Sequence, residues 1–320
     1  MRTDTIGDSG GLLALIPPVR RARLWRLYAQ DGRRLLDFWM DGGRDLLGAK
    51  GTGLGTAVKA AVDLGIARPL PSVWRQRLAR QITELRPAFP VQRFYMNEER
   101  ALDALAALFG LGIGSREEGR SDILRDPAER GRAVRHDAAG SAAVGAAGSA
   151  ADRVPGGAVG AVGPVAPALV LRPFAEFLEG EGEVEAASSV CLLRLPCSRF
   201  LAPAVLLFRD PSVAKIIGED LVPPLMLAAA SRSLWELKRF ASTYREELWR
   251  RVDRRLGAFF ERRGPFLYPR HRPEEHETVF RAALSAGAVL SPRHGLPSLV
   301  PGDFDDGELA RLQSALSGRT

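Results

Sequence analysis

The chain has 320 residues, 46% of them hydrophobic and 26% charged, ordinary values for a globular protein with room for one or two domains. Its formal net charge is +7, yet only four of its 45 Lys and Arg residues are Lys, and the arginines are spread along the chain without a compact cluster interleaved with aromatics. The charge is therefore not read as a nucleic-acid surface. No run approaches the roughly 18 apolar residues that a membrane span needs, and Leu12–Pro18 is too short and too Pro-rich for a signal peptide. The spacing of Cys191 and Cys197 allows a disulfide, but reduced thiols in a soluble cytoplasmic protein are expected.

Residues 18–50 alternate apolar and polar around Gly pairs, a hairpin pattern. Residues 54–64 have helical spacing and strong helix formers. A clearer helix is predicted over 72–86. Ser72 can cap it, Pro87 ends it, and Val73, Trp74, Leu78, Ile82 and Leu85 share an apolar face. Val91–Met96 reads as a strand, followed by a helix from Glu98 to Phe109. Residues 114–138 are charged and lack aromatics, and 139–168 are almost entirely Ala, Gly, Val, Ser and Pro. Such a composition cannot bury enough surface to offset the entropy of ordering it, so 114–166 is expected to be a disordered insert or linker.

Ala168–Phe174 has a buried-strand signature, and Val190–Leu195 with Ala204–Phe208 reads as an apolar strand pair. A long helical stretch is predicted from Pro224 to Arg263, broken near Ser242. Its positions Leu234, Leu237, Tyr244, Leu248, Val252, Leu256 and Phe260 recur at helical spacing, which suits a core-facing stripe better than a membrane-surface or partner helix. Gly264–Tyr268 follows as a strand after a turn, Glu275–Ala286 as a helix, and Ala288–Pro292 and Ser298–Pro301 as short strands. A final helix opens on Asp305-Asp306-Gly307-Glu308, an acidic first turn suited to the helix dipole.

Isolated motifs carry little chemistry. His271 and His276 enclose Glu274 and Glu275, but no third metal ligand is evident and a solvated surface is expected, so no metal is assigned. Gly51-Thr52-Gly53-Leu54-Gly55 lacks the Gly-Lys-Ser/Thr ending of a P-loop and the spacing of a dinucleotide fingerprint. It reads as a turn. No nucleophile elbow or Cys/His pairing stands out.

Four segments taken in order resemble class III aminotransferases, enzymes of the pyridoxal-phosphate (PLP) fold-type I transferase family. Asp31-Gly32-Arg33-Arg34-Leu35-Leu36-Asp37-Phe38 with Leu46-Leu47-Gly48 is similar to the family's "DG.RYLDF…LGH". Val91–Leu105 is similar to "V.FFNSGSEA.EAAL", and Ala202–Asp210 to "GAVL.RE". The C-terminal "GAVLSP", "PSLVPG" and "DDGELARLQSAL" resemble the family's small-domain ending. The resemblance implies an α/β fold, a shortened and degenerate fold-type I scaffold. It has a reduced large domain and a C-terminal α/β small domain that the N-terminal hairpin joins. The expected division is 1–50 for the hairpin segment, 51–113 and 167–240 for the large domain, 114–166 for the linker, and 241–320 for the small domain.

PLP chemistry needs a lysine amine for the Schiff base. The lysines are Lys50, Lys59, Lys215 and Lys238, none in a recognisable context. With Ala204-Val205-Leu206 set on "GAVL", the lysine position falls on Arg194, which stays protonated. Setting Leu169–Phe174 on the family strand "VIVEP" instead places both the lysine and the cofactor's acidic partner in a deletion. The "DE..TG.GR" motif that supplies that acid is absent on either comparison. Asn97-Glu98-Glu99-Arg100 replaces the phosphate-cradling "SGSE", and two carboxylates there repel a phosphate dianion. The resemblance therefore implies a catalytically inactive pseudoenzyme with no bound cofactor and a binding or scaffold role, pairing as a homodimer or with an active relative. The alternative is an active PLP aminotransferase that uses a displaced lysine such as Lys215.

Overall fold

The computed structural model describes residues 11–48, 53–110, 123–130, 168–177 and 188–318. In chain order the strands are β1 (Val19–Arg23), β2 (Arg26–Ala29), β3 (Arg34–Asp37), β4 (Val91–Tyr95), β5 (Leu124–Arg125), β6 (Ala168–Leu171), β7 (Val190–Leu193), β8 (Ala204–Phe208), β9 (Phe260–Arg263), β10 (Phe266–Pro269), β11 (Ala288–Val289) and β12 (Ser298–Leu299). The helices are α1 (Leu54–Asp63), α2 (Val73–Leu85), α3 (Glu98–Leu108), α4 (Pro211–Ala214), α5 (Pro224–Phe240), α6 (Glu246–Leu256), α7 (His276–Ser285) and α8 (Asp306–Ser317). The result is a mixed α/β fold.

The central sheet has the order β4-β8-β7-β6-β5. Strand β8 runs antiparallel to both β4 and β7, while β7, β6 and β5 are parallel, so β4, β7, β6 and β5 all point the same way. Strands β6, β7 and β8 are buried along their whole length, which explains their unbroken apolar runs. Alternate residues serve two cores. Leu169, Cys191, Leu193, Val205 and Leu207 face α2 and α5, and Val190, Leu192, Leu206 and Phe208 face α3. Each such Leu or Val side chain contributes about 2 kcal/mol on burial. Ser72 caps α2 by accepting from the Trp74 N–H at 3.2 Å. Leu78 and Ile82 hold the buried face of α2, whereas Val73 and Leu85, its first and last residues, are exposed.

A second core joins the two ends of the chain. Strand β11 pairs in parallel with β3, with Gly287 C=O accepting from Leu36 N–H and Val289 C=O from Phe38 N–H, both at 2.8 Å. Around this seam Trp25, Leu35, Phe38 and Met40 from the N-terminal part pack with Tyr244, Trp249, Phe280 and Leu309. Trp25, Phe38 and Met40 are thus buried within the chain, and among the described residues before β1 the large apolar side chain that stays exposed is Leu13, at 40%. Arg26 on β2 binds both oxygens of Glu308 on α8 at 2.8 Å, and both side chains are nearly buried. Glu308 also completes the capping box with Asp305 at the start of α8.

Two sequence expectations change. The helix predicted to reach Arg263 ends at Leu256, and Phe260 lies in β9 instead. Its spacing fits the helical stripe, but the chain turns at Gly257 and folds back as a hairpin through Gly264, whose φ of +53° is open to glycine. The linker expected over 114–166 contains β5, which pairs with β6, and Ala128 is fully buried. Arg130 stacks 3.7 Å from the Tyr268 ring and binds Glu261, tying this segment to the second core. Charged neighbours hide so short a strand from pattern reading. Residues 114–122 and 131–166 lie outside the described residues.

Because Arg26 and Glu308 hold the chain ends together in a nearly buried pair, Glu308→Ala is expected to cost about 3 kcal/mol. Urea unfolding of the variant against the parent, with Arg26→Met to complete a double-mutant cycle, measures this coupling.

Candidate functional site

In an open α/β sheet the natural binding crevice lies beyond the carboxyl ends of the strands. Four codirectional strands end together here, and each is followed by a charged side chain. Asp126 follows β5, Arg172 follows β6, Arg194 follows β7, and Glu98 opens α3 just after β4. Arg194 binds Asp126 at 3.0 Å and Glu98 at 3.3 Å. Arg172 also pairs with Asp126, and Arg44 pairs with Glu98. The five groups form one chain of ion pairs from Arg172 through Asp126, Arg194 and Glu98 to Arg44.

Arg44 arrives from a strained turn. Met40, Asp41, Gly42 and Gly43 have φ of +47°, +50°, +67° and +88°, four successive left-handed residues. This conformation is costly at Met40 and Asp41, which carry a Cβ. The Asp37 carboxylate holds the turn by accepting from the Trp39 and Met40 N–H groups at 2.8 and 2.9 Å, and burial lifts its pKa to about 6. Asp41 pairs with Arg199 from the loop after β7. Packing at Gly43 is tight as well, since a Cβ there would sit 3.2 Å from the Leu299 side chain.

Burial opposes charge on every member of the network, and partners decide the outcome. Burial raises Glu98, but Arg194 and Arg44 outweigh it and bring the pKa down to about 2. Burial likewise raises Asp126, and Arg172 and Arg194 pull it below the usual carboxylate range. Burial lowers Arg194, which Glu98 and Asp126 more than offset. Arg172 and Arg44 are both lowered, chiefly by burial. The space left beside Arg44, Arg172 and Arg194 is a cavity of about 10 Å³, roughly the room for one water molecule.

The fold brings Arg194 and Glu98 into this cluster. Asn97 caps α3 by accepting from the Arg100 N–H at 2.9 Å, Arg100 binds Asp220 at 2.8 Å, and Glu99 is exposed. Lys215 follows α4, is exposed, and is not part of the cluster. Lys59 and Lys238 are also exposed, and Lys50 lies outside the described residues. Sequence reasoning missed Asp126, Arg172, Arg44 and Asp41, because nothing in the linear order marks them as neighbours. Cys191 and Cys197 are buried and not joined by a disulfide, and burial pushes the Cys197 thiol up to about 12.

The histidines differ from expectation. His276 is buried, not solvated, and His294 joins His271 and His276 with ring centroids 5.3–5.7 Å apart. His276 faces the Ser291 carbonyl through Nε2 and His271 through Nδ1, both at 3.0 Å, and burial lowers its pKa. The site forms only once α7 and the loop after β11 pack together. Among the described residues no group of three or more His, Cys, Asp or Glu side chains is arranged to hold a metal ion. A larger open cleft of about 350 Å³ lies between Phe174, Phe177, Tyr244 and Trp249. Among the described residues its walls carry no lysine, histidine or thiol. No described helix is long and apolar enough to cross a membrane.

No protein-family model matches the chain. An uncharacterized protein of Treponema pallidum is 27% identical over 297 residues, covering 88% of each chain. One of Borreliella burgdorferi is 33% identical over 100 residues, 31% of this chain and 37% of that protein. Among solved structures, N-acetylornithine aminotransferase from Stenotrophomonas maltophilia superimposes with a TM-score of 0.60 at 15% identity, over 95% of this chain and 96% of that one. A glutamate-1-semialdehyde aminomutase from Pseudomonas aeruginosa gives 0.61 at 15% identity, over 94% and 87%. An ornithine aminotransferase from Plasmodium yoelii gives 0.59 at 12% identity, over 95% and 93%. The chain therefore shares the fold of these solved aminotransferase and aminomutase structures across nearly its whole length.

The acidic members of the network set an expected pH response. Glu98 is held near 2 against an ordinary 4.5, so the folded state keeps it ionised where the unfolded chain takes up a proton. Its contribution is full above about 4.5 and is lost as pH falls towards 2, and Asp126 acts in the same direction. Thermal unfolding from pH 6 down to pH 2.5 should show a steep fall below 4.5 that Glu98→Gln flattens. The variant should also lose about 3 kcal/mol at pH 6.

Proposed function

We propose that this chain is a non-catalytic, aminotransferase-like protein, a pseudoenzyme that uses the PLP-transferase fold as a cytoplasmic binding or scaffold unit. The observation that carries the reading is the filled crevice. The place a phosphate would take at the start of α3 is held by the protein's own Glu98 carboxylate, bonded to Arg44 and Arg194. The strand end nearest it presents Arg194, whose guanidinium stays protonated and forms no Schiff base. A cavity of about 10 Å³ has no room for a pyridine ring with its phosphate. The residues present therefore do not fit PLP. An active enzyme built on Lys215 would need that exposed side chain to reach a crevice it does not border. The fold of the neighbours makes PLP worth testing, but fold alone does not carry function.

The decisive measurement is an absorbance spectrum of the purified protein with added PLP. No aldimine band and no borohydride-sensitive adduct are expected. Arg194→Lys alone should not restore transamination, because Glu98 stays at the start of α3 and the family's acidic motif for the pyridine nitrogen is absent from the sequence. Measurable amino-group exchange by the unmodified protein would sink the reading.

The partner proposed is a second copy of the chain or an active relative. Light scattering at micromolar concentration should give a dimer mass, weakened by Leu13→Asp at the exposed N-terminal leucine. A monomer mass would rule out the dimer and leave partner binding unsupported.

A further inference from the structure

We propose that the cavity enclosed by Arg44, Arg172 and Arg194 is a binding site for one small monovalent anion of halide size. This rests on the reading that the crevice does not take PLP. Four features lead to it.

The first is the wall. Among the described residues its polar side chains are three guanidiniums, and no carboxylate lines it. A guanidinium is a donor only. A water molecule would turn two hydrogens towards walls that cannot accept them from a side chain, whereas an anion presents only lone pairs.

The second is an unsatisfied donor. Arg172 is 6% exposed and its Nε–H has no hydrogen-bond partner, while one of its two terminal nitrogens is taken by Asp126. A buried donor left unpaired costs about 1–3 kcal/mol, more for a charged group. Arg172 borders the cavity, so an ion seated there lies beside a guanidinium whose Nε–H has no hydrogen-bond partner.

Charge is the third. Along the network three guanidiniums face two carboxylates, Glu98 and Asp126, which leaves one positive charge. Of the other carboxylates nearby, Asp41 is paired with Arg199, and neither it nor Asp37 nor Asp45 lines the wall. The remaining wall is apolar, with Phe266 and Leu299 among it, which strengthens any ionic contact inside.

Size is the fourth. About 10 Å³ admits one small sphere and excludes phosphate and organic carboxylates. Gly42 and Gly43 set that limit. They close the wall in left-handed conformations, and a Cβ on either would press to 3.2 Å on Trp39 or Leu299.

The test uses the full chain in sodium chloride, sodium bromide and sodium gluconate at matched ionic strength. The melting temperature is expected to be higher in the halides and to saturate with halide concentration, as a ligand bound only by the folded state requires. Crystals grown in bromide should show an anomalous peak in this cavity. Arg172→Leu should abolish the halide-specific increment. Should that variant fail to fold, Arg172→Lys keeps the charge, drops the Nε–H, and is expected to weaken halide affinity about tenfold. Equal melting temperatures in chloride and gluconate, or bromide density that avoids the cavity, would overturn the site. The PLP spectrum, recorded in gluconate, reports on the crevice separately. An aldimine band there overturns the reading beneath the proposal, and its absence with no halide effect overturns the anion site alone.

Discussion

Charges buried at the ends of a parallel sheet must be answered by other charges, because water is not there to do it. Taking an ion out of water costs several kcal/mol even after the protein relaxes. Arg194 is the hinge of this constraint. It lies between Glu98 and Asp126, which come from segments 28 residues apart in the chain and at opposite edges of the central sheet. Once Arg194 occupies the end of β7, the carboxylates on either side become partners, and Arg172 and Arg44 complete them. An apolar plug would fill the same space at comparable stability. The ionic solution does something a plug does not, since it keeps a donor-lined cavity beyond the carboxyl ends of the strands, where open α/β sheets commonly bind ligands.

The same constraint reaches the second core. Arg44 enters the network only because the turn at Met40–Gly43 holds four left-handed residues in a row. Two of these would relax if released. Asp37 and the Asp41–Arg199 pair hold them, and Asp37 ends β3, the strand paired with β11. The junction of the chain ends and the crevice are therefore mechanically connected. The segment 126–130 makes a second connection, with Asp126 in the network, Ala128 in the second core and Arg130 over Tyr268.

At 12–15% identity to the solved aminotransferases, the fold persists over some 95% of the chain while the side chains at the strand ends are basic and acidic pairs. This is what sheet physics allows. The interior of β6, β7 and β8 asks only for apolar residues of suitable size. The strand ends are not constrained by the core and are free to carry any chemistry, including none.

Much of the fold was legible because it is written in local patterns. The apolar runs of β6–β8, the Ser72 cap, the acidic first turn of α8 and the resemblance of both chain ends each depend on residues close in sequence. Arg194 and Glu98 were likewise reachable through that resemblance. What the chain order alone could not express was adjacency across the sheet. Asp126 sits beyond a two-residue strand inside a charged, aromatic-free stretch, so composition read it as linker. The pairing of Arg172 with Asp126 requires β5 to lie beside β6, and His294 meets His276 only across the packing of α7 on the loop after β11. Local periodicity determines which face of an element is buried. Which charges then meet, and how much room they leave, is decided by the sheet order and by the desolvation that forces them to pair.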